Sequence, residues 1–307
     1  MTIVDILNYF KPLKIELIKF NFNMILIGGI VRDSLIQLEK DDFHLNQDFD
    51  FELYYEGTNY EVDYLSLYSY LNDNYQLELC SFKVFKINYN EHSIELAHSR
   101  LDLYNLDFLF FGHSDFEVSY IKDKNFKNSF KRRDFTINAI GLTFENELVD
   151  PYQGKVAIEN KRLSIISDAF FCDPVRMARA IRFKIKFKFN FDKNLNMNFN
   201  KFNLSKLTSF YFFSEGFKSG DFMQFVIEFK QIVQKFSIEI PLWLINLMKH
   251  LIINNEVVSN KNSLIEQQCR LSAKNTEFLF ELASLLGIKK NKVKNLIKLE
   301  NKMNHND

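Results

Sequence analysis

The sequence predicts an α+β protein. A head over residues 1–145, a small mixed sheet flanked by helices, precedes an all-helical neck over 146–215 and an all-helical body over 216–307. Three observations predict it. "NQDFDFELYY" at 46–55 alternates acidic with aromatic or aliphatic residues, "MILIG" at 24–28 runs through two glycines into helical spacing, and past "DPYQGK" at 150–155 glycine and proline become scarce.

In chain order, "MILIG" is a buried strand ending in a turn, and "IVRDSLIQLEK" carries apolar residues at 31, 35 and 38, one face of a helix. The 46–55 stretch is a strand. Side chains of an extended segment alternate, so Asp48 and Asp50 share one face while Phe49 and Phe51 share the other. A helix is expected over 62–73, with strands at 82–88 and 93–97. Helices follow over 173–187 and as one terminal pattern from 276 to 300. The biased stretch 189–206 carries no assignment.

A chain of 307 residues can bury a substantial core and divide into two or three domains. Its 39 basic and 39 acidic residues cancel, but residues 1–110 hold 8 against 18, leaving 31 against 21 for the remainder. An acidic first part suits metal binding; a basic remainder suits a polyanion such as RNA, although scattered lysine also solvates ordinary helices. Cys80, Cys172 and Cys269 show neither a metal spacing nor an even disulfide framework, which fits a reducing compartment. No window is apolar enough for a membrane span, and the N-terminus lacks a signal-peptide core. A soluble, cytoplasmic protein is the expectation.

Gly28 and Gly29 sit where a strand hands over to a helix, where free backbone N–H groups and the helix dipole favour an anion, with Arg32 and Asp33 in the following turns. Alone, a Gly-Gly bend is a tight turn. Glu95 lies in another strand, with Arg100 five residues on. Three carboxylates from two strands suit two Mg²⁺ ions, whereas each taken singly reads as a solvated strand residue. "KRRDFTINAIG" at 131–141 gathers Lys131, Arg132 and Arg133 ahead of Asp134 and Asn138, phosphate forks beside a group able to meet a ribose, or simply a charged loop before a buried segment. In "CDPVRMARAIRF" at 172–183, Asp173 is an N-cap before Pro174, and Arg176, Arg179 and Arg182 recur along one helix face, a stripe suited to an anion.

"GGIVRD", "DFDFE", "IELAHSR", "RRDFTINAI", "DPYQGK" and "DPVRMARAIRF" stand in the order and spacing of the class II tRNA nucleotidyltransferases, the CCA-adding enzymes, and their bacterial poly(A) polymerase relatives, which the chain resembles over about 24–186. The resemblance implies a nucleotidyltransferase head and addition of CMP and AMP from CTP and ATP to a tRNA 3′ end. Asp48 and Asp50 would bind Mg²⁺, Gly29 and Arg32 the triphosphate, and Arg133, Arg176 and Arg179 the nucleotide. Asp173 and Arg176 would select cytosine and adenine, which both offer an amino donor beside a ring-nitrogen acceptor. The alternatives are an A-adding or poly(A) polymerase, or a non-catalytic RNA-binding descendant. Cys172 stands where the family usually has Glu, the Glu- and Arg-rich neck motif is not recognisable in 199–218, and without a His-Asp metal motif no phosphohydrolase activity is expected.

Overall fold

The computed structural model describes residues 2–36, 49–104, 112–122, 124–254 and 256–303. They form two compact units, one from 1–105 and 116–170, the other from 106–115 and 171–307. The expected mixed head and helical remainder are both present.

The first unit opens with α1 (Ile3–Ile18), whose Thr2 and Asp5 cap each other. Then follow β1 (Phe22–Ile27), α2 (Gly29–Leu35), β2 (Phe49–Tyr55), α3 (Tyr60–Asn74), β3 (Leu77–Cys80), β4 (Val84–Tyr89) and β5 (His92–His98). A hairpin of β6 (Arg100–Leu103) and β7 (Glu117–Tyr120), α4 (Phe126–Phe130), β8 (Gly141–Leu142), β9 (Leu148–Val149) and α5 (Gly154–Glu159) complete it. Among the described residues the main sheet runs β3-β4-β5-β2-β1-β8-β9, and only β2 and β5 pair in parallel.

The register sorts the two faces. On one lie Phe49, Phe51, Leu96 and Phe85, packed under α1 and α3; Phe10 of α1 meets Phe49 and Phe51 at 5.0 and 5.1 Å, and Tyr64 of α3 stacks on Phe85 at 5.6 Å. Burying such a phenylalanine contributes about 1.5–3 kcal/mol, which fixes β2's register and so the direction of its acidic residues. The other face carries the row Lys86, Glu95, Asp50, Ile27, Gly141 across five strands, with Glu52 and Ala97 one step along.

The second unit is helical: α6 (Pro174–Phe187), α7 (Lys193–Met197), α8 (Ser209–Lys218), α9 (Phe222–Phe236), α10 (Leu242–His250), α11 (Lys261–Ser272), α12 (Thr276–Leu285) and α13 (Lys290–Met303). Phe212 of α8 is its aromatic hub, meeting Phe222, Phe225, Phe229 and Trp243.

Two expectations are corrected. The 276–300 pattern is two helices, α12 and α13, because Gly287 turns left-handed at φ +65° and ends the first. The strand expected at 82–88 begins only at Val84: Phe82 and Lys83 take φ of 60° and 54°, a bend that lays Phe82 on the Arg100 guanidinium at 4.4 Å. The 131–141 segment forms a single 3₁₀ turn, Thr136–Asn138.

Candidate active site

Asp50 begins the site. It stands near the start of β2, beside Ile27 of β1 and Glu95 of β5, on the face away from α1. β1 ends directly at Gly28, which bends at φ +83° and starts α2; a Cβ there would lie 2.5 Å from Asp50 Oδ2, so the carboxylate rests on the glycine backbone. Asp48, the expected second carboxylate, lies outside the described residues. Glu95 is in register beside Asp50 and half-exposed, its carboxylate 4.0 Å from Lys86. Among the described residues no three or more His, Cys, Asp or Glu gather into a metal cluster.

From α2, Arg32 is nearly buried, pairs with Asp33 at 2.6 Å and donates from Nη1 to Asn138 Oδ1 at 2.7 Å. Asn138 donates onward to Asp134 Oδ1 at 2.8 Å, an oxygen that also accepts the Phe135 N–H. Four of the expected residues, Arg32, Asp33, Asp134 and Asn138, are therefore one network, joined across 106 residues of sequence. Gly29 borders it, its absent Cβ 3.3 Å from Arg32 Nη2.

Arg133 donates from Nη1 to the Asn138 carbonyl at 3.2 Å and from Nη2 to Glu52 Oε2 at 3.3 Å, where Arg132 Nη2 also lies at 3.3 Å. Glu52 is fully buried, and Ser99 Oγ donates to its other oxygen at 2.9 Å. Burial pushes the Glu52 carboxyl up, but the Arg132 and Arg133 charges and hydrogen bonds from Ser129 and Ser99 outweigh it and hold the group below the ordinary glutamate range. Arg133 is pulled below its usual value by burial and by Arg132, opposed by Glu52 and, more weakly, by Asp50. Sequence reading missed Glu52, although alternation already placed it on the Asp50 face.

The "DPYQGK" motif braces this arrangement. Asp150 accepts the Gly154 and Lys155 N–H groups at 2.6 and 2.9 Å, capping α5, and a Cβ on Gly154 would lie 2.2 Å from the Thr136 carbonyl. Arg100 is engaged elsewhere: its Nε donates to Asp102 at 2.9 Å and its guanidinium lies 4.4 and 6.0 Å from the Phe82 and Phe116 rings.

The second unit carries its own cluster. Asp173 is buried at the start of α6; Oδ1 accepts the Val175 N–H at 2.9 Å, and Oδ2 lies within hydrogen-bond distance of His113 Nδ1, 2.8 Å, and 3.7 Å from Arg176 Nε. His113 in turn packs on the Tyr211 ring at 4.6 Å. No spacing rule links residues 113 and 173, so sequence alone gave no sign of it. Arg179 lies 5.6 Å from the Phe183 ring. Arg182 pairs with buried Glu215 of α8 at 2.7 Å, so the third arginine of the stripe is a packing contact.

Residues 24–164 match the family model of the poly A polymerase head domain. The chain is 33% identical over 158 residues to the multifunctional CCA protein of Psychromonas ingrahamii, a match spanning 52% of this chain and 34% of that protein. Among solved structures, the CCA-adding enzyme of Bacillus stearothermophilus in complex with CTP has a TM-score of 0.64 at 15% identity, covering 99% of this chain and 71% of that one. The Thermotoga maritima CCA-adding enzyme complexed with tRNA has a TM-score of 0.60 at 18% identity, covering 97% and 70%. The chain spans about a fifth to a third of the length of the curated relatives it matches. The similarity to the poly A polymerase head domain thus spans residues 24–164, and over nearly its whole length the chain shares the fold of CCA-adding enzymes of known structure.

Proposed function

We propose that the chain is a tRNA nucleotidyltransferase adding CMP and AMP from CTP and ATP to the tRNA 3′ end, as CCA addition or repair, without a nucleic-acid template. The observation that carries this reading is the convergence of the "GGIVRD", "DFDFE" and "RRDFTINAI" residues around Asp50 and the α2 entry. In it, residues 1–145 are the nucleotidyltransferase head, 146–215 the neck that reads the base, and 216–307 a body that binds RNA. No described helix is long and apolar enough to cross a membrane, and a cytoplasmic location is part of the same proposal.

The residues fit a hard divalent cation: Asp50 supplies oxygen donors on a partly exposed strand face, with Glu95 in register beside it. Asp50, together with Asp48, would hold Mg²⁺, which when bound supplies a more acidic 3′-hydroxyl and a screened triphosphate. The chain's own groups do the rest. The Gly28–Gly29 bend admits phosphate oxygens close to backbone N–H groups, and Arg32, fixed by Asp33 and Asn138, and Arg133, fixed by Glu52, present positive charge to the triphosphate. Asp134 orients Asn138, which faces the ribose. The terminal 3′-hydroxyl of the RNA attacks the α-phosphate, and pyrophosphate leaves.

Base choice rests on Asp173 and Arg176, with Arg179 beside them: a carboxylate acceptor and a guanidinium donor match cytosine and adenine. Uracil and guanine would leave a buried polar group unpaired at about 1–3 kcal/mol.

Purified protein is incubated with tRNA lacking A, CA or CCA and each labelled nucleotide. Stepwise incorporation of C, C and A is expected, and Asp50→Ala abolishes it. Incorporation of A alone onto unrelated RNA would replace this reading with a poly(A) or A-adding polymerase, and RNA binding with no incorporation at all would leave a non-catalytic descendant.

A further inference from the structure

Glu52 has no role in the reaction as described, yet it is an acidic side chain buried completely among the site residues. Asp50 and Glu52 point from the same face of β2, about 7 Å apart along the strand. Arg133 reaches this face from the 131–138 segment on a side chain long enough to meet either carboxylate, and it pairs with Glu52. Its Nε is buried with no hydrogen-bond partner among the described residues, so the hydrogen bonds to Glu52 and the Asn138 carbonyl, with the Phe130 ring 5.1 Å away, define where the guanidinium lies. A buried guanidinium deprived of its carboxylate is destabilised and is drawn towards any other within reach. Asp50 is the one whose field already reaches Arg133.

We propose that Glu52 is a positioning residue: its buried carboxylate holds Arg133 off Asp50, so that this arginine does not neutralise the carboxylate at the cation site. The same contact aims Arg133 at the nucleotide. One buried acid thus keeps a phosphate-binding cation and a metal-binding anion apart on neighbouring positions of a single strand face. The inference rests on the reading of Asp50 as a cation ligand.

Mn²⁺ binding to the full chain, followed by the electron paramagnetic resonance signal of the free ion, tests it, with folding checked by circular dichroism and thermal melting. Glu52→Gln keeps the shape and removes the charge; it is expected to weaken Mn²⁺ at least about fivefold, while Glu52→Gln combined with Arg133→Gln restores affinity to within about twofold of wild type. Arg133→Gln alone is expected to leave Mn²⁺ affinity within about twofold of wild type, because Glu52 already keeps that charge off Asp50, a result that stands even if Glu52→Gln fails to fold. Unchanged affinity in Glu52→Gln, weakening that the double variant does not recover, or an Arg133→Gln protein that binds Mn²⁺ at least about fivefold tighter than wild type each overturns the proposal. Asp50→Asn separates the two layers: if it leaves Mn²⁺ binding intact, the cation-site reading falls and this inference with it, whereas weakening by Asp50→Asn alongside an indifferent Glu52→Gln sinks the inference alone.

Discussion

The Asp50 carboxylate occupies the space a side chain on Gly28 would take, 2.5 Å from where a Cβ would stand. Gly28 is also at φ +83°, a conformation L side chains resist. Gly28→Ala therefore meets two obstacles at once, one in the backbone and one in the side chain it displaces. A stability loss of about 1–3 kcal/mol is expected from the backbone, with nucleotide incorporation falling by at least about a hundredfold because Asp50 is pushed aside. Thermal unfolding and single-turnover incorporation on the same protein check both; full activity with an unchanged melting temperature would refute the contact.

Gly154 is held for a different reason. Its φ is ordinary, but the Thr136 carbonyl would lie 2.2 Å from a Cβ, and backbone does not yield as a flexible side chain does. Gly154→Ala is expected to destabilise the head by about 1–3 kcal/mol through overpacking. Asp150→Ala removes the α5 cap and costs about 1 kcal/mol. Urea unfolding of the two variants measures the difference.

His98 predicts a pH dependence. It is almost fully buried among Phe22, Tyr60, Tyr64 and Phe85, with Nδ1 3.1 Å from the Tyr60 hydroxyl. Burial and then the Lys83 charge push its pKa from 6.5 down to about 3. Between those values the unfolded chain binds a proton that the folded chain refuses, so the stability His98 contributes is complete above pH 6.5 and is lost as pH falls towards 3. The loss approaches about 1.4 kcal/mol for each unit of pH. Denaturant unfolding at pH 7, 6 and 5 should show a slope in the wild type that His98→Phe removes; equal slopes would mean that His98 is protonated in the fold.

Asp173 caps α6 and, in the proposed function, also reads the base, and two substitutions separate these roles. Asp173→Asn retains an oxygen for the Val175 N–H but loses the charge facing His113 and Arg176, so stability should fall by under about 1 kcal/mol while selectivity for C and A over U and G drops at least about tenfold. Asp173→Ala should lose both. Competition between labelled nucleotides gives the selectivity, and retained discrimination in Asp173→Asn would move base reading elsewhere.

How much of this is legible in the sequence depends on the reach of the interaction. Alternation over residues 49–55 orients Asp50, and it orients Glu52 equally well, because both follow from strand geometry alone. The Asp173 cap is equally local. By contrast, nothing in the composition ties Arg32 to Asn138 or His113 to Asp173; those pairs exist only once the sheet and the second unit have brought distant segments together. Phe82 and Lys83 bend left-handed without a glycine to announce it, which is why the sequence pattern starts that strand two residues early. Gly287 did announce its turn, and the helical periodicity on either side concealed it.

The bond between Arg32 and Asn138 has a bearing on biosynthesis. A chain emerging from the ribosome exposes its diglycine bend early, yet the arginine beside that bend has its neighbour Asp33 but not Asn138 until more than a hundred further residues have been made. Glu52 waits similarly, for Arg132 and Arg133. A truncated product ending before Asn138 therefore carries most of the sheet but lacks the bond that fixes Arg32 from across it, so in the proposed function competence arrives late.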